Sequence, residues 1–541
     1  MKISGNIVDV RRKRIFSGSL IIENSRIQSI VEDTETYTNF ILPGFVNAHV
    51  HIESSMLTPA SFAHAVVQHG TVATVSDPHE IANVLGIEGI NFMIDNAKQT
   101  PLKIFFGAPS CVPATSFESS GATIDSKDIE ALMQRDDIWY LSEMMNFPGV
   151  IFKDKEVHQK LKYAQKYNKP IDGHAPFLMG EDLKKYAAGG ITTDHECVSI
   201  EEALQKIDLG IKIQIREGSA AKNFEALHPL ITQNPEMTML CTDDSHPDDL
   251  IEGFMNQIVK RAIKYGHNIF DVLQTATSNI VDHYNLPVGL LQEGDAADFI
   301  VVDNLTDFNI QSTYINGKLV FDGEKTQFDI SIPKALNNFE RTKISIEQLS
   351  LAVTKGDSLK VIEAYDGDLT TGVYEYTINR DAENFESDLE NDILKMVVLS
   401  RYDQTPIQVA YVKGFKMEKA AFASSIAHDS HNIIAVGAKD ADLVLAINRL
   451  IENKGGIAFA DGANQESLAL EIAGLMTNEK IEKVAKTYKS ISDKIKAVGS
   501  ELYAPLMTAA FMSLLVIPKL KLSDKGLFDV DKFAFTDLVV E

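Results

Sequence analysis

The sequence predicts an α/β chain built around a (β/α)8 barrel of the TIM type. Between residues 43 and 290, a short apolar run ending in polar or charged residues is followed by a helical stretch, eight times over. Eight such units in about 250 residues is the usual size of this barrel. Segments that alternate apolar and polar residues, as antiparallel strands do, flank this middle on both sides. A doubly wound open sheet is the alternative, but no G-x-G-x-x-G or phosphate-loop pattern follows an early strand.

Residues 1–42 hold the first flank, as in Ser19-Leu20-Ile21-Ile22-Glu23, with a turn at Glu23-Asn24-Ser25. The texture returns in Phe299-Ile300-Val301-Val302 and in Tyr314 to Val320, so 1–42 and 291–335 are expected to form one small β-sandwich domain. The barrel strands are expected at Gly44–His51, Thr71–Ser76, Lys103–Gly107, Ile138–Glu143, Pro170–His174, Gly190–His195, Ile211–Arg216 and Met237–Asp243. The first helix has a cap in Thr58, a first-turn proline in Pro59 and a terminating glycine in Gly70. A linker near Pro333–Arg341 leads to a separate C-terminal α/β domain, 340–541. There, His428-Asp429-Ser430-His431 reads as a polar turn ahead of Ile433–Val436; ligands for a further ion, or an approach to the mouth of a barrel in its own chain or a neighbour's, are the alternatives.

Composition bounds the function. The chain has 541 residues, a hydrophobic fraction of 45% and a formal charge of −25. That charge argues against nucleic acid and against an anionic membrane surface as partners. The three cysteines, Cys111, Cys197 and Cys241, form no C-x-x-C pair, so neither a disulfide framework nor a cysteine zinc module is expected. The N-terminus shows no apolar leader. The uncharged run Leu502–Ile517 contains Pro505 and falls short of the roughly 20 residues a membrane helix needs; it reads as a buried helix. A cytoplasmic enzyme is the expectation.

In this barrel, chemistry sits at the carboxyl ends of the strands. Those ends carry His49-Val50-His51, Asp77-Pro78-His79-Glu80, Glu143, His174, His195-Glu196, Arg216-Glu217 and Asp243-Asp244. His49 and His51 lie two apart on a strand and so face the same way. Imidazole and carboxylate together suit Zn²⁺, Fe²⁺ or Mn²⁺. His49, His51, Glu143, His174, His195 and Asp243 make six ligands, enough for two ions sharing a water. Each residue alone has a packing explanation; the signal is that all six fall on strand ends. H-E-x-x-H, the H-x-E…P-C-x-x-C pattern and the G-x-S-x-G elbow are all absent from the sequence.

The strand-one segment Pro43-Gly44-Phe45-Val46-Asn47-Ala48-His49-Val50-His51 resembles that of the amidohydrolase superfamily. Its continuation through Ile52-Glu53-Ser54-Ser55, together with Asp77–Val84, Pro109–Thr115, Glu143–Val150, Asp172–Pro176, Asp194–Cys197, Arg216–Ala221, Thr242–Asp244 and Ser425–Asn432, is similar to the adenine deaminases of that superfamily. The resemblance spans nearly the whole chain. It implies hydrolysis of adenine to hypoxanthine and ammonia, with two divalent ions, Mn²⁺ or Fe²⁺, and Zn²⁺ as the other candidate. It implies Glu143 as the bridging ligand and Asp243 as the proton carrier. Glu80 or Asp77 would protonate N1, and Arg216, Glu217 and Ser219 would hold the purine edge. Asp244 would orient the ligands from behind. A homo-oligomer, such as a dimer, is also expected. The competing functions are ring opening of a hydantoin or dihydropyrimidine by a related enzyme, and a non-catalytic barrel assembly protein.

Overall fold

A computed structural model describes residues 1–219 and 221–540. The Arg216–Ala221 motif therefore includes one position, Ala220, outside the described residues. The chain divides into two compact units. The first comprises Met1–Pro78, Asn91–Cys111 and Asp125–Pro333, and the second His79–Ile90, Val112–Ile124 and Lys334–Glu541.

The first unit contains the barrel. Its parallel strands are Phe45–His51, Thr71–Ser76, Lys103–Ala108, Ile138–Met144, Ile171–Gly173, Thr193–Asp194 and Lys212–Arg216, each hydrogen-bonded to the next. The eighth is broken at Thr242. Its first half, Thr238–Cys241, pairs with strand seven; its second, Asp243–Asp244, pairs with strand one and closes the sheet. The break is built in the backbone: Asp243 is left-handed, with φ 59°. Asn47 spans the seam, donating to Thr242 Oγ1 at 2.7 Å and accepting from Thr242 N at 3.1 Å. All eight expected strands are present. The sixth is shorter than expected because Gly190, with φ 90°, is used to end the preceding helical segment, its N–H bonding Ala187 O at 2.9 Å.

The expected first helix runs Pro59–Val66, capped by the Thr58 side chain, and a 3₁₀ turn then stops at left-handed Gly70. The flanking strands form one sheet of seven, in the order Lys318–Phe321, Ile310–Ile315, Phe299–Val302, Phe40–Pro43, Lys2–Asp9, Arg14–Glu23 and Arg26–Glu32. Phe299–Val302 joins the two flanks by pairing antiparallel with Phe40–Pro43. Ile7, Leu20, Ile41, Phe299 and neighbours bury one face. The hairpin at Asn24-Ser25 has both central residues at positive φ, the geometry that matches strand twist.

The second unit is a mixed sheet that includes Leu394–Leu399, Ala421–Ser424, Ile433–Gly437 and Gly456–Asp461. Helix Asp440–Asn453 covers it with Leu443, Ala446, Ile447 and Leu450. Residues 329–345, ahead of it, carry no regular secondary structure. The expected helix over 502–517 is reduced to Pro505–Ala510 followed by the 3₁₀ turn Phe511–Ser513, although the run is largely buried as expected. Pro505 supplies no amide hydrogen to a preceding turn, so the helix starts there. No helix among the described residues is long and apolar enough to cross a membrane.

Candidate active site

Strand one is buried along its whole length, and its alternation turns His49 and His51 to the same side. Their Nε2 atoms lie 3.2 Å apart. His51 is oriented from behind: its Nδ1 donates to the Asp77 carbonyl at 3.1 Å, which turns Nε2 towards Glu143 and Asp243. Glu143, from strand four, reaches two groups at once. Its Oε1 is 3.2 Å from His51 Nε2, while its Oε2 is 2.7 Å from His174 Nδ1 and 3.2 Å from His195 Nε2. Asp243, from the seam, places Oδ1 at 3.2 Å from His51 Nε2 and 3.6 Å from His49 Nε2. All six expected ligands therefore converge. Two overlapping trios they form, His49–His195–Asp243 and Glu143–His174–His195, each have ligand atoms close enough together for an ion, and His195 is common to both.

The electrostatics follow from burial and pairing. Burial alone penalises every charge here. It prevails at His49, which is pushed down, with neighbouring His195 adding to the effect. At His51, hydrogen bonds to Asp243 and Glu143 overcome burial and raise the imidazole well above its usual range. His174 is raised to about 9 against burial, through the charges of Glu196 and Glu143. His195 is also raised against burial, mainly by its hydrogen bond to Glu143. Glu143 is held well below the usual carboxylate range in spite of burial, mainly by the charge of His174. Arg216 does the same for Asp243.

The other expected site residues scatter. Arg216 Nη1 lies 2.5 Å from Asp243 Oδ2 and also contacts Glu196 Oε1. Asp244 hydrogen-bonds Ser54 in the turn after strand one, and its carboxylate is grouped with His51 and Asp243. Ser219 Oγ donates to Asp249 at 2.6 Å and accepts from His246 N at 2.8 Å, the bonds of a loop. Glu217 pairs with Arg261 at 2.5 Å and lines a cavity of about 710 Å³ with Lys222, Asp249 and Phe254; no histidine lines that cavity. Glu80 belongs to the second unit. There its carboxylate accepts from His428 Nδ1 at 2.8 Å and meets His431 Nε2. The segment read as a polar turn is thus interior: His428 is 6% exposed and His431 1%. Despite burial, the charges of His428 and His431 keep Glu80 well below the usual carboxylate range.

Several residues to which the sequence assigns no role support the site. Glu196 contacts His195, His174 and Arg216. Asn223 donates to the His195 carbonyl at 3.0 Å and accepts from Arg216 N at 2.7 Å, tying strands six and seven together. Lys206 and Asp194 are fully buried and paired at 3.0 Å. A signal for Lys206 was present: with Glu202 it makes an i,i+4 charge pair flanking Ala203, on the face a barrel helix should bury.

A family model described as the amidohydrolase family matches residues 40–320, and one described as the adenine deaminase C-terminal domain matches 368–534. The adenine deaminase of Methanosarcina mazei is 52% identical over 552 residues, covering 100% of each chain. The chain belongs to the adenine deaminase family of the amidohydrolases. The adenine deaminases of Borreliella burgdorferi and Parabacteroides distasonis are 49% and 47% identical, each covering 99% of this chain and 99% and 98% of their own.

The family is metal-dependent, and the donor set fits such a group. His49, kept neutral by burial, and His51 point ring nitrogens at each other 3.2 Å apart. Neutral lone pairs in that position repel unless a cation or a proton lies beside them. Two carboxylates supply the opposite charge.

Proposed function

We propose that the protein hydrolyses adenine to hypoxanthine and ammonia at the carboxyl end of its barrel. The observation that carries this reading is the convergence of four histidines with Glu143 and Asp243 at the strand ends of a chain that resembles adenine deaminases end to end. His49, His51, Glu143, His174, His195 and Asp243 would hold two divalent ions, Mn²⁺ or Fe²⁺ being the ions we assign; Glu143 faces His51 with one oxygen and His174 and His195 with the other. When bound, the ions supply a water whose pKa is lowered towards neutrality.

The chain's own groups do the rest. Asp243 accepts the proton released as water adds at C6 of adenine and returns it to the departing amine. Arg216 fixes Asp243 by its 2.5 Å contact, and we assign it to that task before any contact with the purine. N1 must gain a proton. Glu80 is already an ionised acceptor for His428 and His431, so Asp77, whose carbonyl also orients His51, is the better assignment.

The deciding assay is adenine-to-hypoxanthine conversion by protein stripped with a chelator and then resupplied with Mn²⁺ or Fe²⁺. Conversion that returns with the metal is expected. Ring opening of a hydantoin or dihydropyrimidine, with adenine untouched, would replace this reading by the other cyclic-amide chemistry.

Metal uptake is expected to depend on pH. In the metal-free protein the His51, His174 and His195 rings are all shifted towards their protonated forms, His174 with a pKa of about 9. A metal binds only the neutral ring and must displace those protons. Affinity should therefore rise with pH up to about 9, by about tenfold per pH unit for each displaced proton. Titration of metal-free protein with Mn²⁺ at about pH 6.5 and about pH 8.5 measures this. Equal affinity at both would rule out the protonation pattern.

A further inference from the structure

Lys206 sits on helix Ile200–Asp208, which follows barrel strand six. Its side chain is fully buried. The ammonium donates to the Ala175 carbonyl at 2.7 Å and to Glu202 Oε1 at 3.0 Å, and lies 3.0 Å from Asp194 Oδ1. An ammonium has three donors, and these contacts engage all of them.

Between them, these contacts lead to two ligand-bearing strand ends. Ala175 directly follows His174, on strand five, and Asp194 directly precedes His195, on strand six. Asp194 is itself fully buried and accepts two further bonds, from Ala175 N at 3.0 Å and from Glu196 N at 2.8 Å. It therefore grips the residue after His174 and the residue after His195 with one carboxylate. Glu202, the third member, accepts from Val198 N at 3.1 Å and so holds the loop that leads away from His195. The two histidines thus fixed converge on the same oxygen, Glu143 Oε2, at 2.7 and 3.2 Å.

A buried ammonium among carboxylates is a poor way to stabilise a helix against a barrel, since well-packed apolar residues do as well or better. What the charged cluster provides is a fixed spacing between two strand ends: Asp194 links them, and Lys206 anchors both that carboxylate and the Ala175 carbonyl. We propose that Lys206 is a positioning residue for the metal centre, acting through Asp194 and the Ala175 carbonyl to hold His174 and His195 at the separation an ion needs. It touches neither ion nor substrate. The proposal rests on the assignment of His174 and His195 as ligands.

The experiment compares full-length parent, Lys206→Met, Lys206→Met with Glu202→Gln, and His195→Ala. The second variant keeps the net charge of the cluster and guards against misfolding from an uncompensated carboxylate. Competition of Mn²⁺ with a chelator gives the number and affinity of bound ions, and melting of the metal-free proteins gives the control. In both Lys206 variants, one of the two ions should bind about 10–100-fold more weakly, as when groups behind a ligand are removed. The other ion should bind as in the parent, and kcat should recover at saturating Mn²⁺. A Lys206 that is only structural would lower the melting temperature and leave both affinities unchanged; that result overturns the proposal. If His195→Ala retains both ions, the ligand assignment fails and the proposal falls with it.

Discussion

Asp243→Asn is expected to fold, yet to turn over adenine about 10²–10⁴-fold more slowly, the usual range for a lost acid–base group. Folding should survive because residue 243 occupies left-handed backbone at φ 59°, a region that asparagine enters readily. Asparagine also retains an oxygen where Asp243 Oδ1 faces His51 and His49 at 3.2 and 3.6 Å. What it loses is the ability to take a proton, together with the charge that pairs with Arg216. Measurement of kcat alongside metal content separates the two losses. A variant with near-parental turnover would remove Asp243 from the proton path.

The second large effect is on stability. Replacing both His428 and His431 by Ala leaves the Glu80 carboxylate buried, at 2% exposure, with only His79, at 3.5 Å, of the three rings it faces. Removing the partners of a buried charge costs about 3–5 kcal/mol. Adding Glu80→Leu should recover much of that, because an apolar side chain needs no partner. The sign with pH is fixed by Glu80, whose folded pKa lies well below its usual 4.5. Its pairing stabilises the protein above that usual value, and the contribution is lost as the pH falls through the folded value. The double variant should therefore lose more stability at neutral pH than in acid. Denaturant unfolding at both pH values tests this, and an equal loss in the triple variant would show that the carboxylate is not the cause.

The barrel was legible because its signals are local. A run such as Thr71–Ser76 is apolar for packing, and its end is polar because it opens on the site; both facts lie within a few residues of each other. The same locality let His49 and His51 be read as a pair. What escaped is held together by contacts between distant segments. Glu80 and His428 are 348 positions apart, and nothing near either one hints at the other. Asn223 looks like an ordinary loop residue until its amide is seen bridging strands six and seven. Glu217 and Ser219 are expected, from the family resemblance, to hold the purine edge. Their side chains face Arg261 and Asp249, contacts between segments far apart in the chain.

The carbonyl of Asp77 that fixes the His51 ring belongs to the main chain. Every amino acid would present it, so no substitution at position 77 can delete that hydrogen bond, and a scan of the position reports on the carboxylate alone. The arrangement is thus buffered against point mutation but exposed to insertion or deletion between Ser76 and Pro78, where a change of one residue would move the carbonyl away from the ring.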